Sequence, residues 1–462
     1  MITLNRRQFL ATSAAFSGLS ASTGFAGTPF ATLTAQQSDV QLLPGNYGKT
    51  SLWCFDGGSP GPEIRVAQGG RVQRRLVNRF SQGTSTHWHG IRIDNAMDGV
   101  SGLTQDVVQP EETFDYDFTV PDAGTYWYHA HNRSFEQVGR GLYGALIVEE
   151  AEPLDIDREE VLILDDWLID PETAQIKDDF GASHDLSHAG RIGNLLTTNG
   201  TFNLGLRARK NERLRLRLIN AANARNFQLG LEGLDGWAVA LDGMPLAAPI
   251  KVTEPMILAP AQRIDLIVDV VADVGETAHI LQFGREEAFS QVTFEVVEWG
   301  SKNRRDAPLA LPPNDHRMVD LSEATMLSLS MEGGAMGRMR SASLGGELKP
   351  IGEIVEAGYF WSFNGKVDGI NGDPLARLDR GQNVRLKMVN DTAFPHAMHL
   401  HGIHFHEVAE NGTLGPLRDT TLLERGQTRE IAFVADNPGQ WLLHCHMLSH
   451  AASGMMTKIV VG

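Results

Sequence analysis

Ten of the sixteen histidines in this chain fall into four tight groups: His87 and His89; His129 and His131; His396, His399 and His401; and His444, His446 and His450. In an extended strand residues i and i+2 share a face, so each His-x-His pair projects two imidazoles side by side. Imidazole is the commonest side-chain ligand for transition metals. One such pair could serve packing, but four pairs at repeated positions point to metal. Eight imidazoles from two facing units suit a cluster of several copper ions. The last group adds a second kind of site. Cys445 lies between His444 and His446 and so faces the other way, with His450 five residues on and Met455 five further. Together with His396 this makes two imidazoles, a thiolate and a thioether, the blue-copper electron-transfer set. Zinc is the alternative for a Cys/His set, but structural zinc sites do not use methionine.

Those residues need strands to carry them, and the sequence repeats the strands. Gly69, Val72, Val77, Asn78, His87, His89 and Gly90 recur as Gly381, Val384, Val389, Asn390, His399, His401 and Gly402. Phe118, Gly124, His129 and His131 recur as Phe433, Gly439, His444 and His446. Self-similarity at a fixed offset signals duplicated domains. The middle third keeps the skeleton in Leu214, Ile219 and Asn220. Counting on from Asn220 and Gly275, it puts Leu229, Leu231, Ile280 and Gln282 at the histidine positions. Short apolar-alternating or β-branched runs at 71–77, 113–120, 142–149, 213–219, 264–271, 384–389 and 429–434 read as strands, and few stretches read as long helices. The expectation is an all-β protein of three consecutive Greek-key β-sandwiches at 36–155, 156–300 and 351–462. Residues 301–350, with Pro308, Pro312, Pro313 and a sparse set of methionines, read as a linker.

Composition agrees. At 462 residues the chain is too long for one core, and 48 glycines with 20 prolines suit a turn-rich β protein. Forty basic against 57 acidic residues give −17, which argues against nucleic acid or anionic membranes as partners. No apolar run is long enough for a membrane span. Two cysteines cannot form a disulfide framework. Arg6-Arg7 ahead of the weakly apolar run Leu10–Ala26 reads as a twin-arginine (Tat-type) signal, placing residues 1–35 in a signal and extension and the protein in the periplasm. Cleavage is expected after Ala26 or near Ala35.

The pattern resembles the three-domain multicopper oxidases, the family of laccases and bacterial copper-efflux oxidases. The motifs that carry the resemblance are His87-Trp88-His89-Gly90, Trp127-Tyr128-His129-Ala130-His131, Pro395-His396 through Gly402, and His444-Cys445-His446 with His450 and Met455. It implies cupredoxin-like domains and four copper ions. By resemblance His396, Cys445, His450 and Met455 hold the type 1 ion, and His87 and His399 the type 2 ion. His89, His129, His131, His401, His444 and His446 hold the type 3 pair. It further implies that electrons enter at the type 1 site, cross Cys445 to His444 and His446, and reduce O₂ to water.

O₂ reduction consumes protons, and Asp98 matches the family's acid near the cluster. The family's glutamate after the second type 1 histidine is here Ala451, so Asp98 carries more of that load, with Asp106 a further candidate. The reductant is expected to be a phenol or aromatic amine, or Cu(I), the latter suggested by Met326, Met331, Met336 and Met339 and by a role in copper homeostasis. The alternative is a copper-free or non-catalytic relative of the kind that acts in cell division, against which the full ligand set speaks. The protein is expected to be a monomer. His184, His188, His279, His316, His404 and His406 read as ordinary strand residues, and Cys54 as a small buried filler on the first strand.

Overall fold

Alternation along the strands sets the cores. Strand Arg71–Asn78 buries Val72, Leu76 and Asn78 and turns Arg71 and Arg75 to solvent, while Gln382–Asn390 buries Val384, Leu386, Met388 and Asn390. The structure is a computed structural model that describes residues 30–462; the expected signal, with Arg6 and Arg7, lies outside the described residues.

Three sandwiches follow one another. One sheet of the first unit runs Thr50–Phe55, Ala31–Val40, Arg71–Asn78, Thr113–Thr119. The same order recurs as Leu195–Thr198, Arg158–Trp167, Arg213–Asn220, Arg263–Val270, and again as Trp361–Phe363, Thr325–Gly333, Gln382–Asn390, Thr428–Ala435. In each the second and third strands pair in parallel and the rest antiparallel. The facing sheet of the first unit runs Ile64–Ala67, Tyr143–Glu149, Gly124–Ala130, Thr86–His89. Its counterparts set Thr277–Phe283 beside Phe227–Glu232, and Gly439–Cys445 beside His396–Leu400, each with one further strand at the edge, Met256–Leu258 and Thr420–Leu423. The chain is all-β, built of three cupredoxin-like sandwiches.

Register separates the middle unit from its neighbours. His87 lies opposite His129, and His399 opposite His444. In the middle unit Leu229 lies opposite Gln282, and Leu231 opposite Ile280, two residues from what counting along the sequence gives. Leu229 and Ile280 are core residues there. The first and third units share one hydrophobic cluster, including Trp88 and Tyr128 from one and Trp441 and Cys445 from the other.

Three expectations need correction. Ala31–Ala35 is not extension: it pairs in parallel with Arg74–Asn78, and Leu33 and Ala35 are buried, so cleavage near Ala35 would cut a core strand. Residues 325–333 are not linker but a strand of the third sheet, with Met331 in the core opposite Phe363. Cys54 sits on the second described strand, Thr50–Phe55, opposite Gln36. It is buried there, and burial pushes its thiol up to about 12, which suits an inert filler.

Candidate metal centres

Hydrogen bonding of adjacent antiparallel strands fixes the first four imidazoles. His87 and His89 leave Thr86–His89 on one face, and His129 lies across from His87 on Gly124–Ala130, with His131 just past the strand end. The third unit repeats this with His399 and His444, and His401 and His446 follow the two strand ends. The two sets meet face to face. The His89 and His399 rings stack at 3.7 Å, and His87 and His401 approach to 3.9 Å. His131, His401 and His444 lie with ring centres 5.1–5.6 Å apart, and His89, His129 and His446 5.1–5.7 Å apart. His131 is half-buried and the other seven are buried.

Tautomers follow from acceptors that cannot donate. Nδ1–H of His87 donates to the Asp98 carbonyl (2.8 Å), that of His399 to the Asp419 carbonyl (2.9 Å), and that of His401 to Asp98 Oδ2 (3.0 Å). His129 and His444 donate in the same way to the Ala130 and Cys445 carbonyls. His89 is reversed, donating from Nε2 to Asp419 Oδ1 at 3.2 Å. In each ring the other nitrogen carries a lone pair. Among the described residues, His87 Nε2, His89 Nδ1, His131 Nε2 and His399 Nε2 are buried with no hydrogen-bond partner. The Nε2 atoms of His401 and His444 lie 3.1 Å apart, and those of His129 and His446 3.4 Å. Buried polar atoms are normally satisfied, so converging bare lone pairs are what a metal cluster requires. Burial, and then the neighbouring imidazoles, hold His89, His129, His131, His401, His444 and His446 well below the ordinary histidine range, which keeps them neutral ligands.

On the other face of the same strand lies the second set. Cys445 Sγ is 3.7 Å from His396 Nδ1 and 3.8 Å from His450 Nδ1, and the two nitrogens are 3.1 Å apart. His396 Nε2 meets Thr392 Oγ1 at 2.8 Å and His450 Nε2–H donates to the His188 carbonyl at 2.7 Å, so both Nδ1 atoms are left for the thiol. Met455 is fully buried. Its N–H donates to the His450 carbonyl, and its carbonyl accepts from the Cys445 N–H. Burial pushes the Cys445 thiol up to about 12, so a bound cation is what would hold it as thiolate. A trigonal His₂Cys arrangement, with Met455 bonded through its backbone to two of its residues, fits copper better than zinc.

Asp98 is fully buried, between His401 and His87. Asp106 is exposed and stays out of the site. Ala451 lines an apolar cleft together with His131 and His444. Sequence reasoning missed Asp419, the second buried carboxylate of the site, because nothing in its spacing ties it to the histidines. Burial alone would raise its carboxyl, but Arg263 first, then His89 and His399, carry it well below the usual carboxylate range.

Four further histidines expected on strands, His184, His188, His316 and His404, are elsewhere. His184 lies on the short helix Ser183–Ser187 and His188 just after it, with the two rings stacked at 4.2 Å. His404 lies between strands, buried, with its ring 5.2 Å from that of His316.

With the geometry in place, comparisons with known proteins agree with it. Three models described as multicopper oxidase match residues 35–153, 158–293 and 348–462. The multicopper oxidase MmcO of Mycobacterium tuberculosis is 29% identical over 94% of this chain and 87% of its own length. The multicopper oxidase structure from Pseudomonas thermotolerans superposes with a TM-score of 0.80 at 33% identity, covering 93% of this chain and 98% of its own. The structure of Lac15 from a marine microbial metagenome gives a TM-score of 0.77 at 40% identity, covering 94% and 100%.

Proposed function

The chain belongs to the multicopper oxidase family, and from that premise we propose that it holds four copper ions in the two centres described above. It is a copper-dependent oxidoreductase. When bound, copper supplies the one-electron chemistry by which four oxidations of a reducing substrate are coupled to reduction of O₂ to two waters. In this proposal His396, Cys445, His450 and Met455 form the type 1 site and His87 with His399 the type 2 site. His89, His129, His446, His131, His401 and His444 form the type 3 pair.

The chain's own residues do the rest. Cys445 is covalently joined to His444 and His446, so one stretch of three residues connects the two centres. Asp98 fixes His401 and His87 and stands as a buried acid from which protons reach the interface. The observation that carries the reading is the set of buried imidazole nitrogens left without partners between the first and third units. We further propose export by a twin-arginine signal to the periplasm and a monomeric protein. We also propose the three sandwiches at the expected boundaries, extended back to Ala31 for the first and Thr325 for the third by the strands that pair there.

The reductant in this proposal is a phenol or aromatic amine, because Met331 belongs to the core and Met339 packs beside a small cluster, so the methionines form no continuous thioether patch. One observation favours Cu(I): Met336 is 79% exposed, and its neighbour Ala335 donates its N–H to the Ser187 carbonyl, beside the segment covering His450. Copper analysis with visible and EPR spectra tests the whole reading. About four coppers per chain and an intense blue band are expected. A chain that takes up no copper, or shows no blue band, would sink it.

A further inference from the structure

The middle unit supplies none of the proposed ligands, yet one of its side chains ends at the edge of the interface histidines. Arg263 begins the strand Arg263–Val270 and is fully buried. Its donors reach all three units. Nε donates to the Thr125 carbonyl of the first unit at 3.1 Å, and Nη2 to the Asp242 carbonyl of its own unit at 2.8 Å. Nη1 and Nη2 form a two-pronged pair with Asp419 Oδ1 and Oδ2 of the third unit, at 2.9 and 2.6 Å. Asp419 passes the constraint on: Oδ1 accepts from His89 at 3.2 Å and its carbonyl accepts from His399 at 2.9 Å.

Those are the two rings that stack across the interface, one from each histidine-bearing unit. The chain also leaves room for the guanidinium. Gly90, directly after His89, has φ +85°, and a Cβ there would lie 2.3 Å from Arg263 Nη2 and 2.6 Å from Asp419 Oδ2. Glycine is therefore required in this motif both for its backbone conformation and for the space that the ion pair occupies.

We propose that Arg263 is a positioning residue for the interface site. Acting through the Asp419 carboxylate, it fixes the orientation and tautomer of His89, and it anchors the residue whose backbone carbonyl holds His399, so the unit without ligands sets the geometry of a site in the other two. A free carboxylate rotates about its side-chain bonds; a planar guanidinium held at both oxygens does not allow it. Partners of this kind typically tune metal affinity as strongly as some ligands do. The inference rests on the copper reading above.

Arg263→Lys keeps the charge and removes the fork; Asp419→Asn keeps the shape and removes the charge. Arg215→Lys is the control. Arg215 is equally buried in the middle unit and pairs with Asp265 and Glu150 at 2.6 and 2.8 Å, and none of its polar partners is a histidine. Copper titration, with EPR for type 2 and the blue band for type 1, reads all three in the full-length protein. Arg263→Lys and Asp419→Asn should bind interface copper about 10–100-fold more weakly, with an altered or lost type 2 signal and an unchanged blue band. Arg215→Lys should keep both signals. Wild-type affinity and an unaltered type 2 signal in both variants would overturn the proposal, as would an equal loss in the control. A wild-type chain without copper would instead sink the functional reading on which this rests.

Discussion

The Nε2–H of His450 donates to the backbone carbonyl of His188 at 2.7 Å, so the middle unit closes over the outward edge of this buried histidine, proposed above for the type 1 site. The closure is pinned at further points. Trp361 Nε1–H donates to the Leu186 carbonyl at 2.6 Å, Ser453 Oγ–H to the same carbonyl at 3.0 Å, and the Ala335 N–H to the Ser187 carbonyl at 2.6 Å. On the proposed function, a reductant would approach His450 over residues 184–188.

Trp361→Phe removes one pin while leaving the ring over His450, whose centre lies 4.5 Å away. The expected cost is about 0.5–1.5 kcal/mol of stability, since Ser453 still satisfies Leu186. Stopped-flow reduction of the blue band by a phenol should change in rate, while reoxidation by O₂ stays as in the wild type. If reoxidation changed and reduction did not, the covering segment would not be the entry point.

Cys445→Ser removes the thiol between His396 and His450 but leaves His444 and His446 in place. The blue absorption and oxidase turnover should both vanish, with interface copper retained. Survival of either would refute the assignment of Cys445.

Asp98→Asn replaces the carboxylate that accepts from His401 with a neutral amide. Reduction of the type 1 site should be unaffected and reoxidation slowed by about 10²–10⁴-fold, the usual range for a lost general acid. Rapid mixing of the reduced protein with O₂ separates the two steps, and an unchanged reoxidation rate would remove Asp98 from proton delivery.

Acid should unfold the copper-free protein steeply. Burial lowers His450 to about 4, and His89, His129, His131, His396, His401, His444 and His446 also lie well below the usual histidine value. Each is lower in the folded than in the unfolded state, so the unfolded chain binds more protons as pH falls through the ordinary histidine pKa. Stability is full above about 6.5 and declines below it, by about 1.4 kcal/mol per pH unit for each such histidine until its folded pKa is reached. Urea midpoints at pH 7 and pH 5 measure this, and equal midpoints would count against neutral buried imidazoles.

Met336→Ala tests the cuprous reading alone. If Cu(I) is the reductant, cuprous turnover should fall severalfold with phenol turnover intact. Equal turnover on Cu(I) before and after the substitution would leave Met336 without a role in delivery.

The sequence by itself determined the local chemistry. Strand periodicity decides which side chains share a face, so His87 with His89, and Cys445 opposed to His444 and His446, follow from spacing alone. The repeated motifs likewise implied three sandwiches, two of them bearing histidines. What spacing cannot determine is which loops and units close around those faces. Only the tertiary structure brought Asp419 between His89 and His399, ran Arg263 across from the ligand-free unit, and laid the His188 carbonyl on His450. Each of these contacts joins residues more than 150 positions apart, or hangs on a backbone carbonyl that every residue type carries. No residue pattern records such contacts; they arise only when the sheets pack and their buried polar groups must find partners.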